Sequence, residues 1–317
     1  MNVLNIKILV AHRELRGVVK NSILCPIQTG CARATALLPD MLRDNEGENI
    51  SKDNPRYCEL SAHYWAWKNQ DKLGNPHYIG LMHNRRHFMF DTELPIPSAD
   101  ATWLPNSHFY IFPPITDNYL KHLSEEKIAA YFPQYDCMVI KGYNEPEVPF
   151  GKRITKSFGL ENPEIFDVFA NVLREKYPSY SSELNEFWQG DKQYLCNMFV
   201  MNKELFEEYS SFLFGVLAEV DSRIDSSAFT GAKLRFLGYL GEYLLTIFVM
   251  KLQKNPSVKI IEMNGAYFEE KYNPADKKKL WRYALMSLLF WGEKRKIYRQ
   301  KYALLKAKIK VLQNFKY

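Results

Sequence analysis

Two apolar runs with a helix between them constrain this chain more than any other feature of it. "NIKILVAH" sets Ile6, Ile8 and Val10 in alternation and ends on His12, and "HYIGLMH" carries Tyr78, Ile79, Leu81 and Met82 into His83. Between them, "YCELSAHYWAWKNQDK" spaces Leu60, Tyr64 and Trp67 along one helix face behind an Asn54-Pro55 start, and Gly74, Asn75 and Pro76 stop it. The polar, turn-rich residues 40–56 read as a surface loop. Strand, loop, helix, strand is the opening of a parallel sheet, and such sheets hold ligands beyond the C-terminal ends of their strands. The expectation is an α/β fold whose site collects the residues leaving those strands.

Later segments extend the pattern. "HFYIFPPI" and "YDCMVIKGY" read as strands, and "NPEIFDVFANVLREKYP" as an amphipathic helix starting at Asn162-Pro163. "YLCNMFVMNKELFEEYSSFLFGVLAEVDSR" reads as a strand running into a helix, "RFLGYLGEYLLTIFVMKLQKN" as an apolar-faced helix and "SVKIIEMNG" as a closing strand. At 317 residues and 46% hydrophobic content the chain can bury a full core. We expect one domain over residues 1–275 and a tail over residues 276–317. The five cysteines form no CxxC pair, and the first residues lack a charged segment followed by a long apolar one, which predicts a cytoplasmic protein with reduced thiols. No stretch approaches the ~20 uncharged apolar residues of a membrane span.

The net charge of +6 is unevenly placed: residues 277–317 hold 13 Lys or Arg against Glu293 alone, a balance of +12, so residues 1–276 sum to −6. That distribution argues against a nucleic-acid-binding body and for a cationic appendage on an anionic surface. In the tail, Leu280, Trp281, Ala284, Leu285, Leu288, Leu289 and Trp291 are apolar while Lys277, Lys278, Lys279 and Arg282 flank them. Such a segment either lies in an anionic membrane interface, with Trp at headgroup depth, or packs as an ordinary helix on the body or on another subunit.

The run through Met82 ends in His83, Asn84, Arg85, Arg86 and His87. Guanidinium forks match phosphate oxygens, and His83 and Asn84 add donors, so the stretch suits a diphosphate; an Arg-Arg pair is also a common solvated surface. His83 and His87 on one strand face would stand ~13 Å apart, too far to share an ion. No Asp-x-Asp is present at this strand end, so arginine rather than a divalent cation is expected to neutralise the phosphate. As general base the chain offers Asp191 in "WQGDKQY" and Glu242 in "RFLGYLGEYLL". Glu242 shares a helix face with Arg235 in surroundings of the kind that raise a carboxylate pKa. It is either a base for a sugar hydroxyl or half of a buried ion pair. With no GxSxG, Walker loop or GxGxxG, hydrolase, P-loop and Rossmann dehydrogenase readings find no support.

In "ENISKDNPRYCELSAHYWAWKN" followed by "YIGLMHNRRHF" the chain resembles the domain-of-unknown-function 4422 glycosyltransferases of bacterial capsule and O-antigen gene clusters. The family pattern is NIS, two residues, N, then YCEL, YWAWKN and GL-x-HYRRYF. Here it is matched by Asn49, Ile50, Ser51, Asn54, Tyr57, Cys58, Glu59, Leu60, Tyr64, Trp65, Trp67, Lys68, Asn69, Gly80, Leu81, His83, Arg85, Arg86 and Phe88. A looser likeness continues through "PIQTG", "QYDCMVIKG", "NMFVMNKELFEEYSSFLF" and "RFLGYLGEYLL", over residues 6–262. Asn84 and His87 stand where the family has Tyr, Tyr243 where it commonly has Arg, and "ITKSFGLENPE" lacks a His pair that many members carry.

The resemblance implies a GT-A-like, Rossmann-type mixed sheet flanked by helices, with the HNRR stretch in the place of a metal-binding Asp-x-Asp. It implies a glycosyltransferase moving a hexosyl unit, galactose in pyranose or furanose form in some members, from a nucleoside-diphosphate donor, UDP-linked, to a lipid-linked or polysaccharide acceptor. Inversion without a metal cofactor is expected. Glu242 falls at the catalytic base, with Asp191 second. His83, Asn84, Arg85, Arg86 and His12 would hold the donor, and Tyr57, Glu59, Tyr64, Trp65, Lys68, Asn197 and Arg235 would shape the pocket. The alternative is a non-catalytic carbohydrate- or lipid-binding subunit that keeps the fold without turnover. The expected location is the inner face of the bacterial membrane, reached through the tail.

Overall fold

The structure is a computed structural model that describes residues 4–104, 107–144, 163–269 and 274–314. The Asn162 helix start, most of "ITKSFGLENPE" and the last three residues of the tail lie outside the described residues. The chain divides into two compact units, one of residues up to Asn84 with 129–262, the other of residues 85–128 with 263 onward.

In the first unit, β1 (Ile6–His12) lies between β2 (Leu24–Gln28) and β4 (Tyr78–His83) and runs parallel to both. β3 (Leu42–Arg43) adds in parallel outside β2. β10 (Phe199–Asn202) runs antiparallel between β4 and β7 (Cys137–Ile140), and β11 (Ile260–Met263) borders β7. Every residue of β4 is buried and all of β1 except Lys7, as strands covered on both faces require. Gly80 in β4 is dictated by this packing, since a Cβ there would stand 2.7 Å from the Phe199 carbonyl of β10.

Helices Leu60–Lys68, Pro163–Lys176, Lys203–Arg223 and Phe236–Gln253 build the core against this sheet. Asn202 caps the third of them, its Oδ1 accepting the Leu205 N–H at 2.9 Å. The fourth is buried almost all round, and Leu237, Leu240, Leu244, Ile247 and Phe248 expose nothing. Each such side chain contributes about 1.5–3 kcal/mol of transfer free energy.

The single helix expected after Pro55 is broken. Asn54–Tyr57 makes one turn, Cys58 takes a left-handed φ of +53°, and the helix resumes at Leu60. Asn54 Nδ2 donates to the Cys58 carbonyl at 2.6 Å, a side-chain bond that competes with helix continuation. The strand expected through His87 is broken as well: Asn84 and Arg85 form a turn, so His83 and His87 do not share one strand face.

In the second unit, β12 (Gly265–Phe268) lies between β5 (Arg86–Phe88), antiparallel, and β6 (Phe109–Phe112), parallel. His87, Phe112, Tyr119 and Phe268 form an aromatic centre, with His87 Nδ1 3.3 Å from Tyr119 Oη. The buried Asp91 carboxylate pairs with His122 at 2.6 Å and with Lys127. Helices Pro274–Leu289 and Gly292–Asn314 fold back on each other, Gly292 taking the left-handed φ of +60° at the turn. Phe290 stacks on Tyr298 at 5.5 Å between ring centres. Near the far end Ala307 and Ile309 are buried, and Lys308 pairs with Glu269 at 3.0 Å. The mixed α/β class, the mostly parallel sheet flanked by helices and the C-terminal helices are as expected.

Candidate active site

The parallel strands of the first unit deliver polar side chains to one end. His12 closes β1, Gln28 closes β2 and His83 closes β4; the register pairs His12 with Gln28 and Ala11 with His83. His83 Nε2 lies 2.7 Å from the Cys196 carbonyl, and the Asn84 N–H donates to the Ala11 carbonyl at 3.1 Å. Burial drives the His12 pKa down to about 4 against an upward pull from the Glu14 backbone, so the ring is neutral at pH 7. Neither ring nitrogen completes a hydrogen bond of ordinary geometry. The cation at this strand end is the next residue, Arg13, whose Nη2 donates to Asn54 Oδ1 at 2.8 Å.

The 236–253 helix comes close to the same region because two of its residues are glycines one turn apart. A Cβ on Gly238 would stand 3.1 Å from Cys58 Sγ, and one on Gly241 2.7 Å from Leu60 Cδ1 and 2.9 Å from Asn197 Oδ1. That approach sets Glu242 against the loop preceding β10. Its Oε1 accepts the Cys196 N–H at 2.9 Å and its Oε2 accepts Gln193 Nε2 at 3.2 Å. Asn197 Nδ2 donates to Glu59 Oε1 at 2.8 Å and to the Gly238 carbonyl at 3.0 Å. Arg235 Nε donates to Cys58 Sγ at 3.1 Å, with the guanidinium 5.5 Å from the Tyr239 ring centre.

Cys58, Glu59, Arg235, Gly238, Tyr239 and Glu242 line a cleft of about 20 Å³, the space of about one water or hydroxyl group. Cys58, Cys196 and Asn197, with φ of +53°, +70° and +50°, all belong to this neighbourhood. Non-glycine residues hold such conformations only where surrounding bonds over-determine them. Burial, with the Glu59 charge adding to it and Arg235 and Arg13 opposing, pushes the Cys58 thiol up to about 11. At neutral pH it is therefore a hydrogen-bond partner and no thiolate nucleophile. The groups able to take a proton from an incoming hydroxyl are the two carboxylates.

Residues 7–255 match the family described as a domain of unknown function, DUF4422. The chain belongs to the DUF4422 family. It is also similar to the solved apo structure of WbbM, a bifunctional glycosyltransferase, at 26% identity and a TM-score of 0.74, over 90% of this chain and 52% of that one. The chain thus spans about half the length of that relative. No curated protein sequence matches it. This DUF4422 chain has a glycosyltransferase-like fold.

Other residues singled out by the DUF4422 resemblance are spread through the structure. Tyr57 is buried, which pushes its phenol pKa upward, and Trp65 is fully buried with Nε1 donating to the Glu46 carbonyl at 2.6 Å. Tyr64 Oη donates to Glu48 at 3.0 Å and Lys68 Nζ stands 3.7 Å from the Trp67 ring centre. None of these four lines the Glu242 cleft. Nor does Asp191, which precedes β9 (Lys192–Gln193), the partner of β8 (Tyr143–Asn144). Arg85 and Arg86 belong to the second unit. There Arg86 lies 4.5 Å from the Trp103 ring centre, and Trp103 stacks on Tyr267 at 5.0 Å.

Asp44 escapes a reading of the sequence. Fully buried, its Oδ2 accepts the Gly30 N–H at 2.7 Å and Ser61 Oγ at 2.6 Å, and its Oδ1 accepts the Cys31 N–H at 3.0 Å and Ser51 Oγ at 2.6 Å. Asn54 Nδ2 donates to Ser61 Oγ at 2.9 Å, which ties this knot to the turn carrying Cys58. Ser51 and Asn54 in the NIS pattern are its only trace in the sequence. GT-A-like folds commonly use a divalent ion. Among the described residues no group of three or more His, Cys, Asp or Glu is gathered to ligate one. A wider hollow of about 390 Å³, lined in part by Lys7, Lys20 and Lys72, lies toward the opposite end of β1 and β2 and contains none of the residues that line the Glu242 cleft.

Proposed function

We propose that this chain is an inverting glycosyltransferase that moves a hexosyl unit from a nucleoside-diphosphate sugar to a hydroxyl of a glycan or lipid-linked acceptor in cell-surface polysaccharide synthesis. The observation that carries the reading is Glu242. Both of its oxygens are anchored, by the Cys196 N–H and by Gln193, while it lines a hydroxyl-sized cleft beside Arg235 in a glycosyltransferase-like fold.

In the reaction the acceptor O–H gives its proton to the Glu242 carboxylate while its oxygen bonds the anomeric carbon from the face opposite the leaving group. The bond from that carbon to the diphosphate oxygen breaks, and its electron pair leaves with the nucleoside diphosphate. The leaving group gains negative charge, so a fixed guanidinium contributes more in the transition state than in the ground state. Arg13 and Arg235, both of the first unit, are the cations assigned to that task. His83, Asn84 and neutral His12 border the donor, and Asn197 orients Glu59. No divalent cation is required, and a strict metal dependence of the rate would count against the reading. UDP-linked galactose, pyranose and furanose, is the first donor to try on the strength of the family resemblance.

The test is a panel of nucleotide sugars screened for a rise in melting temperature, followed by transfer assays on Glu242→Gln. A donor that binds the native state raises the melting temperature by mass action. The variant should bind that donor unchanged and transfer it about 10³-fold more slowly, within the range expected for loss of a general base. Equal transfer by the variant removes Glu242 from the base role. Binding without any transfer or donor hydrolysis by the wild type moves the chain to the carbohydrate-binding alternative.

A further inference from the structure

We infer that the hairpin of helices 274–289 and 292–314 docks on a bilayer surface rich in anionic phospholipid, its turn entering the headgroup layer. This goes beyond the sugar-transfer reading and does not depend on it.

The hairpin satisfies its own seam and leaves a different face bare. Tyr283 and Phe290 of the first limb meet Tyr298 of the second, at 6.2 and 5.5 Å between ring centres. The face left outside carries Trp281, Leu285, Leu288 and Leu289, spaced i, i+4, i+7 and i+8, and Trp291 stands at the turn itself. Their exposures are 79%, 54%, 69%, 61% and 81%. Soluble surfaces scatter such residues singly, whereas a contiguous stripe marks an interaction site.

The charges around the stripe identify the occupant. Lys277, Lys278 and Arg282 are exposed on the first limb on the side away from the turn, and Lys294, Lys296 and Arg299 are exposed just past it. Apolar and indole groups at the tip with cations on both shoulders match the layering of a bilayer surface, where indoles sit at headgroup depth and Lys or Arg face lipid phosphates. A second copy of the chain is disfavoured, because a symmetric pairing would set one +12 tail against another. Nucleic acid would answer the cations and leave the Trp and Leu stripe in water. No helix among the described residues is long and apolar enough to cross a membrane, so the hairpin would lie on the surface.

The experiment is flotation of the full chain with vesicles of phosphatidylcholine alone and of phosphatidylcholine mixed with phosphatidylglycerol. The wild type is expected to float with the anionic vesicles only. Trp281→Ser with Trp291→Ser should weaken that partition about tenfold or more, and Lys277→Gln with Lys278→Gln and Arg282→Gln should weaken it and erase the lipid preference. Melting temperature and any nucleotide-sugar stabilisation should be unchanged in both variants, which separates this result from a failure of the sugar-transfer reading. Equal flotation of wild type and tryptophan variant overturns the proposal. So does a wild type that ignores anionic vesicles and forms a concentration-dependent dimer lost on substituting the tryptophans, since the occupant would then be a second copy.

Discussion

The helix Phe236–Gln253 and the helix Pro274–Leu289 carry apolar runs of similar richness, "FLGYLGEYLLTIFVM" and "LWRYALMSLLFW", and they end in opposite environments. In the first, Leu237, Leu240, Leu244 and Phe248 expose no surface; in the second, Trp281, Leu285 and Leu288 are mostly bare. Apolar content does not decide between them. The first has no cation between Phe236 and Met250 and two glycines that open a route to Cys58, Leu60 and Asn197. The second interleaves Lys277, Lys278, Lys279 and Arg282 with its apolar positions, and a face with a charge on each early turn cannot be covered by protein without partners for those charges. The buried helix therefore carries one carboxylate, Glu242, in an otherwise apolar sequence, whereas the exposed one mixes apolar and cationic groups on a single surface.

That contrast is most easily broken at Phe248. Truncating it to Ala in a fully buried site should lower unfolding free energy by about 3–5 kcal/mol, read by denaturant titration. A loss under 1 kcal/mol would mean that the helix is not packed as described. Gly241→Ala comes next, because its Cβ would meet Leu60 Cδ1 and Asn197 Oδ1 inside contact distance. Overpacking of this kind costs about 1–3 kcal/mol. Transfer activity should fall with it, since the same approach sets Glu242 against Cys196. Activity unchanged at reduced stability would uncouple the glycine from the site.

Acid sharpens the comparison between the two units. Burial lowers His12 to about 4 and His63 to about 3 in the first unit. Both folded values lie below the unfolded value of about 6.5, so as pH falls below that point the unfolded chain takes up protons that the folded chain refuses. Stability drops by about 1.4 kcal/mol per pH unit for each group until the folded pKa is reached. In the second unit, burial acts to raise Asp91, yet its bonds to Lys127 and His122 hold it down to about 2. Its contribution is full above the unfolded carboxylate value of about 3.9 and is lost only as pH falls toward 2. The first unit should lose stability from pH 6.5 downward and the Asp91 cluster only below pH 4. His12→Gln should remove one proton from the slope of stability against pH between 6.5 and 4, and an unchanged slope would show that His12 is not held neutral by the fold.

Much of this was legible where periodicity speaks. β1, β4, the 236–253 helix and the first tail helix follow from apolar patterns whose period or length admits few alternatives. Glu242 stood out because an acid among apolar residues breaks a pattern. The helix break at Cys58 was not legible, since it turns on a bond from the Asn54 side chain to a carbonyl four residues on. Nor were Arg13, Asp44 and Gln193: a polar residue among polar neighbours carries no mark until the fold brings it to Asn54, to Ser51 and Ser61, or to Glu242. Arg235 was matched with Glu242 by helical spacing, and the bond that positions its guanidinium runs to Cys58 Sγ, a partner 177 residues away in sequence that spacing alone cannot suggest.

The smallest expected effect is also the most diagnostic for the hairpin. Leu288 is 69% exposed, so Leu288→Ala removes a side chain that already lies largely in water and forfeits little burial. Ala is also the better helix former, which offsets part of whatever contact is lost. Unfolding free energy measured by denaturant titration at low protein concentration should stay within about 0.5 kcal/mol of the wild type. The same Leu buried in protein would cost 2 kcal/mol or more on truncation, so a loss of that size would show the stripe covered by polypeptide in solution. A cost that grew with protein concentration would place the cover on another copy of the chain, and a constant one would place it within the same molecule. A neutral result, alongside a large loss at Phe248, would establish that one apolar helix of this chain holds the fold while the other is kept outside it.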